Sequence, residues 1–176
     1  MSRISLAEFR ALVEAELPLV RIFGIAVEDL DRGRAVLTLA GGEGAMRPGG
    51  TMAGPLLFAL ADVTLYAVTL SIVGRVPLAV TTNLTINFLN KPGLGLVRAE
   101  GRVLKAGKRL IVGECSIFDG QGGGLLAHAR DGHHHPAARR KQPFVIGPVR
   151  ACAHFLEIVA GRERLARTGE DDDPDG

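Results

Sequence analysis

The chain has 176 residues, 47% of them hydrophobic and 23% charged, enough for one domain with a full core. A net charge of +2 argues against a nucleic-acid binder, and two cysteines, Cys115 and Cys152, exclude a disulfide framework. The first residues, Met-Ser-Arg-Ile-Ser, lack the apolar run of a secretory signal, so a cytoplasmic protein is expected.

Ser5-Leu-Ala-Glu8 has the form of a capping box and predicts a helix from Leu6 to Glu16, stopping before Pro18. Leu6, Phe9, Leu12 and Val13 give it one apolar stripe. Ile25 to Leu30 and Ala35 to Leu39 read as a hairpin turned by Asp31-Arg-Gly33. A glycine-rich loop, Gly41 to Gly54, then enters a nearly unbroken apolar helix predicted from Pro55 to Val73, with Gly74 as its stop. Leu56 to Val73 is long enough to cross a bilayer. Asp62, Thr64, Tyr66, Thr69 and Ser71 speak against lipid, and a helix buried inside a soluble fold is expected.

Beyond that helix the pattern is all strand: Leu78 to Leu89, Leu94 to Lys105, Arg109 to Phe118, and a last strand beginning at Leu125 to His128. Turn residues separate them at Asn90-Lys-Pro-Gly93, Ala106-Gly-Lys108 and Asp119 to Gly124. The fold class is therefore α+β, one antiparallel sheet against a long helix. A helix apolar on nearly all sides requires the sheet to curl around it.

Three features carry a resemblance: Gly54-(x7)-Asp62, Thr82-Asn-Leu-Thr-Ile-Asn-Phe-Leu89 and Ala99-Glu-Gly-Arg-Val-Leu-Lys105. With the element order, they resemble the hotdog-fold acyl-CoA thioesterases, most closely the phenylacetate-degradation (PaaI-like) type, over roughly residues 15 to 130. The hotdog fold, an antiparallel sheet wrapped around a long central helix, is implied. So are acyl-CoA as substrate and a homodimer or homotetramer with active sites shared at the interface.

Thioester hydrolysis needs an oxyanion donor and a carboxylate that attacks the carbonyl or activates water. Gly54, at a helix N-terminus, can offer its N–H, and Asp62 the carboxylate. Eight residues of helix set their backbones about 12 Å apart, so one chain does not bring both onto one carbonyl carbon. A two-fold partner can. Tyr66 and Thr69 follow Asp62 along one helical face, either lining an acyl pocket or serving as polar groups of core or interface. Asn83 and Asn87, with Thr81 and Thr85, share one face of their strand. In the resembling enzymes that strand runs beside the pantetheine channel, although a solvated outer face reads the same way. Lys105, Lys108 and Arg109 cluster at a turn where related proteins meet CoA phosphates, and basic turns also occur without a ligand.

In this thioesterase type the loop reads Asn-x-x-Gly-x-x-His-Gly-Gly. Here the matching positions are Arg47, Gly50, Ala53, Gly54 and Pro55, so only Gly50 and the oxyanion glycine persist. Arg47 either binds a carboxylate or phosphate bidentately or is a solvated charge. No metal or redox cofactor is expected, and CoA enters as part of the substrate.

The last strand should continue with alternating β-formers, but Arg130-Asp-Gly-His-His-His-Pro136 follows. A histidine cluster can bind metal, but adjacent histidines on a strand point to opposite faces, and a second ligand group beside them is not expected. Read one base out of register, one codon choice for this run gives Thr-Ala-Thr-Thr-Ile, a proper strand ending. A changed reading frame from about residue 130 is the expectation. The hotdog domain is placed at 1–135, with an atypical, poorly ordered tail at 136–176. Within that tail His154 to Ala166 is an amphipathic stretch and Glu170 to Gly176 an acidic end.

The favoured reading is acyl-CoA hydrolysis, with Asp62 as base or nucleophile. The alternatives are a non-catalytic acyl-CoA binder, or a hydratase on the same fold. The hydratase usually needs an Asp/His pair, and no histidine lies near the central helix in sequence.

Overall fold

The computed structural model describes residues 1–42, 45–120 and 123–135. The tail beyond 135 lies outside them.

Helix α1 (Leu6–Glu16) starts at the expected capping box: Ser5 Oγ accepts from the Glu8 amide, and the Glu8 carboxylate accepts from the Ser5 amide. A short helix α2 (Pro18–Ile22) follows directly, Pro18 ending one helix and opening the next. Strands β1 (Ile25–Asp31) and β2 (Arg34–Ala40) form the first hairpin. Gly33 at its turn has φ +74°, and its amide donates to the buried Ser71 Oγ at 2.8 Å.

The part of the glycine-rich loop from residue 46 to 52 forms a small hairpin. Strands β3 (Met46–Arg47) and β4 (Thr51–Met52) pair across it, with Gly49 and Gly50 in the left-handed region. Helix α3 (Gly54–Val73) begins one residue earlier than predicted, with Ala53 as N-cap and Gly74 as C-cap.

The remaining strands are β5 (Val80–Phe88), β6 (Leu96–Ala106), β7 (Leu110–Asp119) and β8 (Leu125–His134). They complete a six-stranded antiparallel sheet of order β1-β2-β6-β7-β8-β5. β5 is thus an edge strand beside the last strand of the sheet. The sheet packs on α3, whose Leu57, Leu60, Ala61, Leu65 and Val68 meet Leu37, Leu39, Ala99, Ile117 and Ala127 in one core. Close approach needs Gly101 and Gly113. A Cβ on Gly101 would meet Thr64 Cγ2 at 2.7 Å, and one on Gly113 would meet Leu65 Cδ2 at 2.8 Å.

α3 is long and apolar enough to span a membrane, but 72% of that window is buried within the fold. Two of its buried hydroxyls are satisfied locally: Thr64 Oγ1 donates to the Leu60 carbonyl and Ser71 Oγ to that of Val68, each at 2.6 Å. One stripe of α3 stays uncovered: Pro55 and Phe58 are exposed, Asp62 and Tyr66 half-buried. Their spacing of 3, 4 and 4 is that of a single helical face.

β8 corrects one expectation. It does not fail after Ala129 but runs on to His134, paired with β5 on one side and β7 on the other. Two flanking ladders hold an extended segment whatever its β propensity. The alternation persists too, with Ala127, Ala129, Asp131 and His133 all buried. The core-facing positions have simply become ionisable.

Candidate active site

Asp62 sits mid-way along the open stripe of α3. Its Oδ1 accepts a hydrogen bond from Thr81 Oγ1 at 2.7 Å. Thr81 Oγ1 also lies 3.2 Å from His133 Nε2, and His133 Nδ1 approaches Asp131 Oδ2 to 2.6 Å. The last two form a buried ion pair, and neither atom has another hydrogen-bond partner among the described residues. The side chains of His133 and Asp131 are 1% and 2% exposed. Burial pushes the Asp131 carboxyl above its ordinary range; His133 opposes the shift, and the charge of Asp62 adds to it.

A cavity of about 210 Å³ opens beside these groups, with Leu12, Val13, Val63, Tyr66 and Ala79 on its apolar side and Asp62, Thr81 and His133 on its polar side. Tyr66 is therefore brought to Asp62. Its hydroxyl reaches the Pro77 carbonyl at 3.4 Å, and its ring lies 6.0 Å from Phe9 and 6.3 Å from His133. Burial and the nearby charge of Glu16 raise its phenol above the usual range. Thr69 is not brought there: it is 1% exposed and lines neither of the two cavities described here.

Gly54 belongs to a second cavity of about 390 Å³, at the other end of the sheet, with Arg47, Thr51, Phe88, Asn90 and Lys91. As the first helical residue, Gly54 has an N–H without an intrahelical acceptor. A Cβ there would sit 3.3 Å from the Phe88 ring. Gly50 shapes the hairpin that presents Arg47, its amide donating to the Arg47 carbonyl at 3.2 Å. Asn83 and Asn87 are exposed on β5, opposite Gly132 and His128 of β8. Lys105, Lys108 and Arg109 are exposed around the β6–β7 turn. That turn lies at the Asp62 end of the sheet, since Leu110 pairs with His134 and His134 with Val80.

Carboxylate and oxyanion glycine thus occupy different cavities of one chain. An edge strand connects the two ends, running from Val80 near Asp62 to Phe88 against Gly54.

A profile of the thioesterase superfamily matches residues 49–125, which include both groups. A candidate esterase of Saccharolobus solfataricus is 34% identical over 118 residues, 66% of this chain and 77% of its own length. The chain belongs to the thioesterase superfamily. Among solved structures, a candidate thioesterase from Silicibacter sp. TM1040 superposes with a TM-score of 0.70 at 33% identity, covering 77% of this chain and 94% of its own. The Escherichia coli PaaI protein of the phenylacetic acid degradation operon has a TM-score of 0.66 at 23% identity, covering 74% and 92%. The latter similarity shows the hotdog fold.

Three residues of this superfamily member escaped sequence reasoning as site residues. Thr81 was legible only as one of several polar strand positions. Asp131 and His133 were set aside with the segment that carries them. The expectation that no histidine lies near the central helix is corrected: His133 stands one threonine away from Asp62. The period-two alternation from Ala127 to His133 was the signal that could have found it.

Proposed function

We propose that this chain hydrolyses acyl-CoA thioesters at a site shared by two copies. The observation that carries the reading is the separation of Asp62 and Gly54 into two cavities at opposite ends of β5, an edge strand among the described residues. Antiparallel pairing of two β5 edges about a two-fold axis sets the Gly54 end of one copy against the Asp62 end of the other. Exposed Leu78, Phe88, Leu89 and Phe58 give that contact an apolar part.

In this reaction Asp62, oriented by Thr81, takes a proton from water as the water oxygen attacks the thioester carbonyl carbon. The partner subunit's Gly54 donates its N–H to the oxyanion, aided by the helix dipole. Collapse of the tetrahedral intermediate breaks the C–S bond and expels CoA as thiolate, which takes the proton held by Asp62, leaving the free acid and restoring the carboxylate. Lys105, Lys108 and Arg109 offer cations for the CoA phosphates at the Asp62 end, and Arg47 offers one beside Gly54. Tyr66 and the apolar lining beside Asp62 suit a modest acyl group. His133 is a wall group of the Asp62 cavity whose Nε2 faces Thr81 Oγ1 at 3.2 Å, so the threonine stands between it and Asp62. For that reason the Asp62/His133 proximity does not favour a hydratase.

The test is thiol release from short, long and aromatic acyl-CoAs by the wild type and Asp62→Asn. Turnover that falls about a hundredfold or more in the variant supports the base role. Saturable acyl-CoA binding with no thiol released by either protein would overturn it in favour of a binding protein.

A further inference from the structure

We infer that Asp62, Asp131 and His133 form a binding site for a first-row divalent metal ion, with zinc as the probe. One ligand atom from each of the three lies within 4.8 Å of the others. Two carboxylates and an imidazole are a donor set suited to such ions. Two of the three groups are almost wholly buried, and His133 Nδ1 and Asp131 Oδ2 are paired with each other at 2.6 Å and with no other group among the described residues. A desolvated ion pair with no further polar partner is costly, and the nearby carboxylates of Asp62 and Asp131 repel. A cation between them relieves both penalties. Entry is open, because Asp62 and His133 line the 210 Å³ cavity.

Neighbouring histidines on a strand diverge. His133 and His134 do lie at a buried and a half-buried position. The partners of His133 come instead from two residues earlier on its own strand and from α3. Metal–ligand distances of about 2.0–2.2 Å require the three groups to draw together. Asp62, on the half-exposed helix stripe, is the one free to move, and moving takes it from Thr81. Occupancy therefore withdraws the proposed base, so the ion inhibits. This last consequence rests on the function proposed above, while the binding itself does not.

The experiment titrates zinc chloride into chelator-treated full-length protein, competing against a chromophoric chelator, and follows thermal unfolding in parallel. One zinc per chain is expected, with a rise in Tm. Asp131→Asn, His133→Gln and Asp62→Asn should each weaken binding at least about tenfold and remove the Tm rise. His134→Gln should change neither. Should the buried variants fail to fold, the half-exposed Asp62→Asn carries the test. Absence of binding, or equal affinity in the wild type and Asp62→Asn, overturns the site. If zinc binds as described but Asp62→Asn still releases thiol at the wild-type rate, the metal site stands and the base assignment falls. If Asp62→Asn is inactive and zinc does not bind, the reverse holds.

Discussion

Thr81 Oγ1 donates to Asp62 Oδ1 at 2.7 Å, joining the edge strand to the single carboxylate of the central helix. Asp62 belongs to the uncovered stripe of α3, so its rotamer is not set by core packing. The threonine hydroxyl fixes it instead, and in doing so aims the second carboxylate oxygen.

Thr81→Val keeps the β-branched shape and removes the hydroxyl. With a charged acceptor at stake in a half-exposed setting, kcat for acyl-CoA hydrolysis should fall about tenfold, and Thr81→Ser should restore most of it. Unchanged kcat in the valine variant would mean Asp62 needs no such orientation.

Gly54→Pro tests the oxyanion donor without breaking the helix. Proline is tolerated in the first turn, and Ala53 already has the extended backbone, φ −71° and ψ 136°, that a following proline requires. The ring must displace Phe88, which is 54% exposed and can move. We expect near-normal Tm and a loss of about a hundredfold in kcat. Activity retained by a folded variant would remove Gly54 from the mechanism.

Asn83→Lys/Asn87→Lys places cations along the β5 edge. Two copies pairing there would bring like charges together, which is destabilising. Size-exclusion chromatography should show a monomer, and activity should vanish although Asp62 is intact. An active monomer would defeat the shared-site reading.

Gly101→Ala puts a methyl 2.7 Å from Thr64 Cγ2 and 2.9 Å from Val68 Cγ2, between helix and sheet. Overpacking of this kind costs about 1–3 kcal/mol, measurable as a lower urea midpoint. No change in midpoint would mean that α3 is not seated tightly on the sheet.

Burial pushes the Cys115 thiol from its ordinary 9.0 up to about 12. The folded chain thus holds this proton at a pH where the unfolded chain releases it. Stability should fall by about 1.4 kcal/mol per pH unit between the two values and be insensitive to this group below pH 9. In a Cys152→Ser background, a thiol reagent at pH 8 should leave the native protein unlabelled and modify it once in urea. Rapid native labelling would contradict the burial.

Much of the architecture is local in origin and could be read from residue order. The Ser5/Glu8 capping box, the Asp31–Gly33 turn and the Pro55 and Gly74 punctuation of the helix act over a few residues each, and the elements they bound appear where predicted. β-Formers bounded by turn residues placed β5, β6 and β7 to within a few residues at each end. Asp62 and Gly54 stood out for the same reason, one a charge in an apolar run and the other a glycine at a helix start.

What needed tertiary structure was every relation across the sheet. Thr81 reaches Asp62 over 19 residues, and Thr81 reaches His133 over 52. No local pattern encodes such meetings, because strand order and register decide them. The extension of β8 has the same cause: neighbours on both sides supply the backbone hydrogen bonds that the propensities of Arg130 to His134 would not have secured. Sequence by itself therefore determined the elements and the two chemically unusual residues of the central helix. The folded sheet decided which side chains surround them, and that one chain holds them in separate cavities.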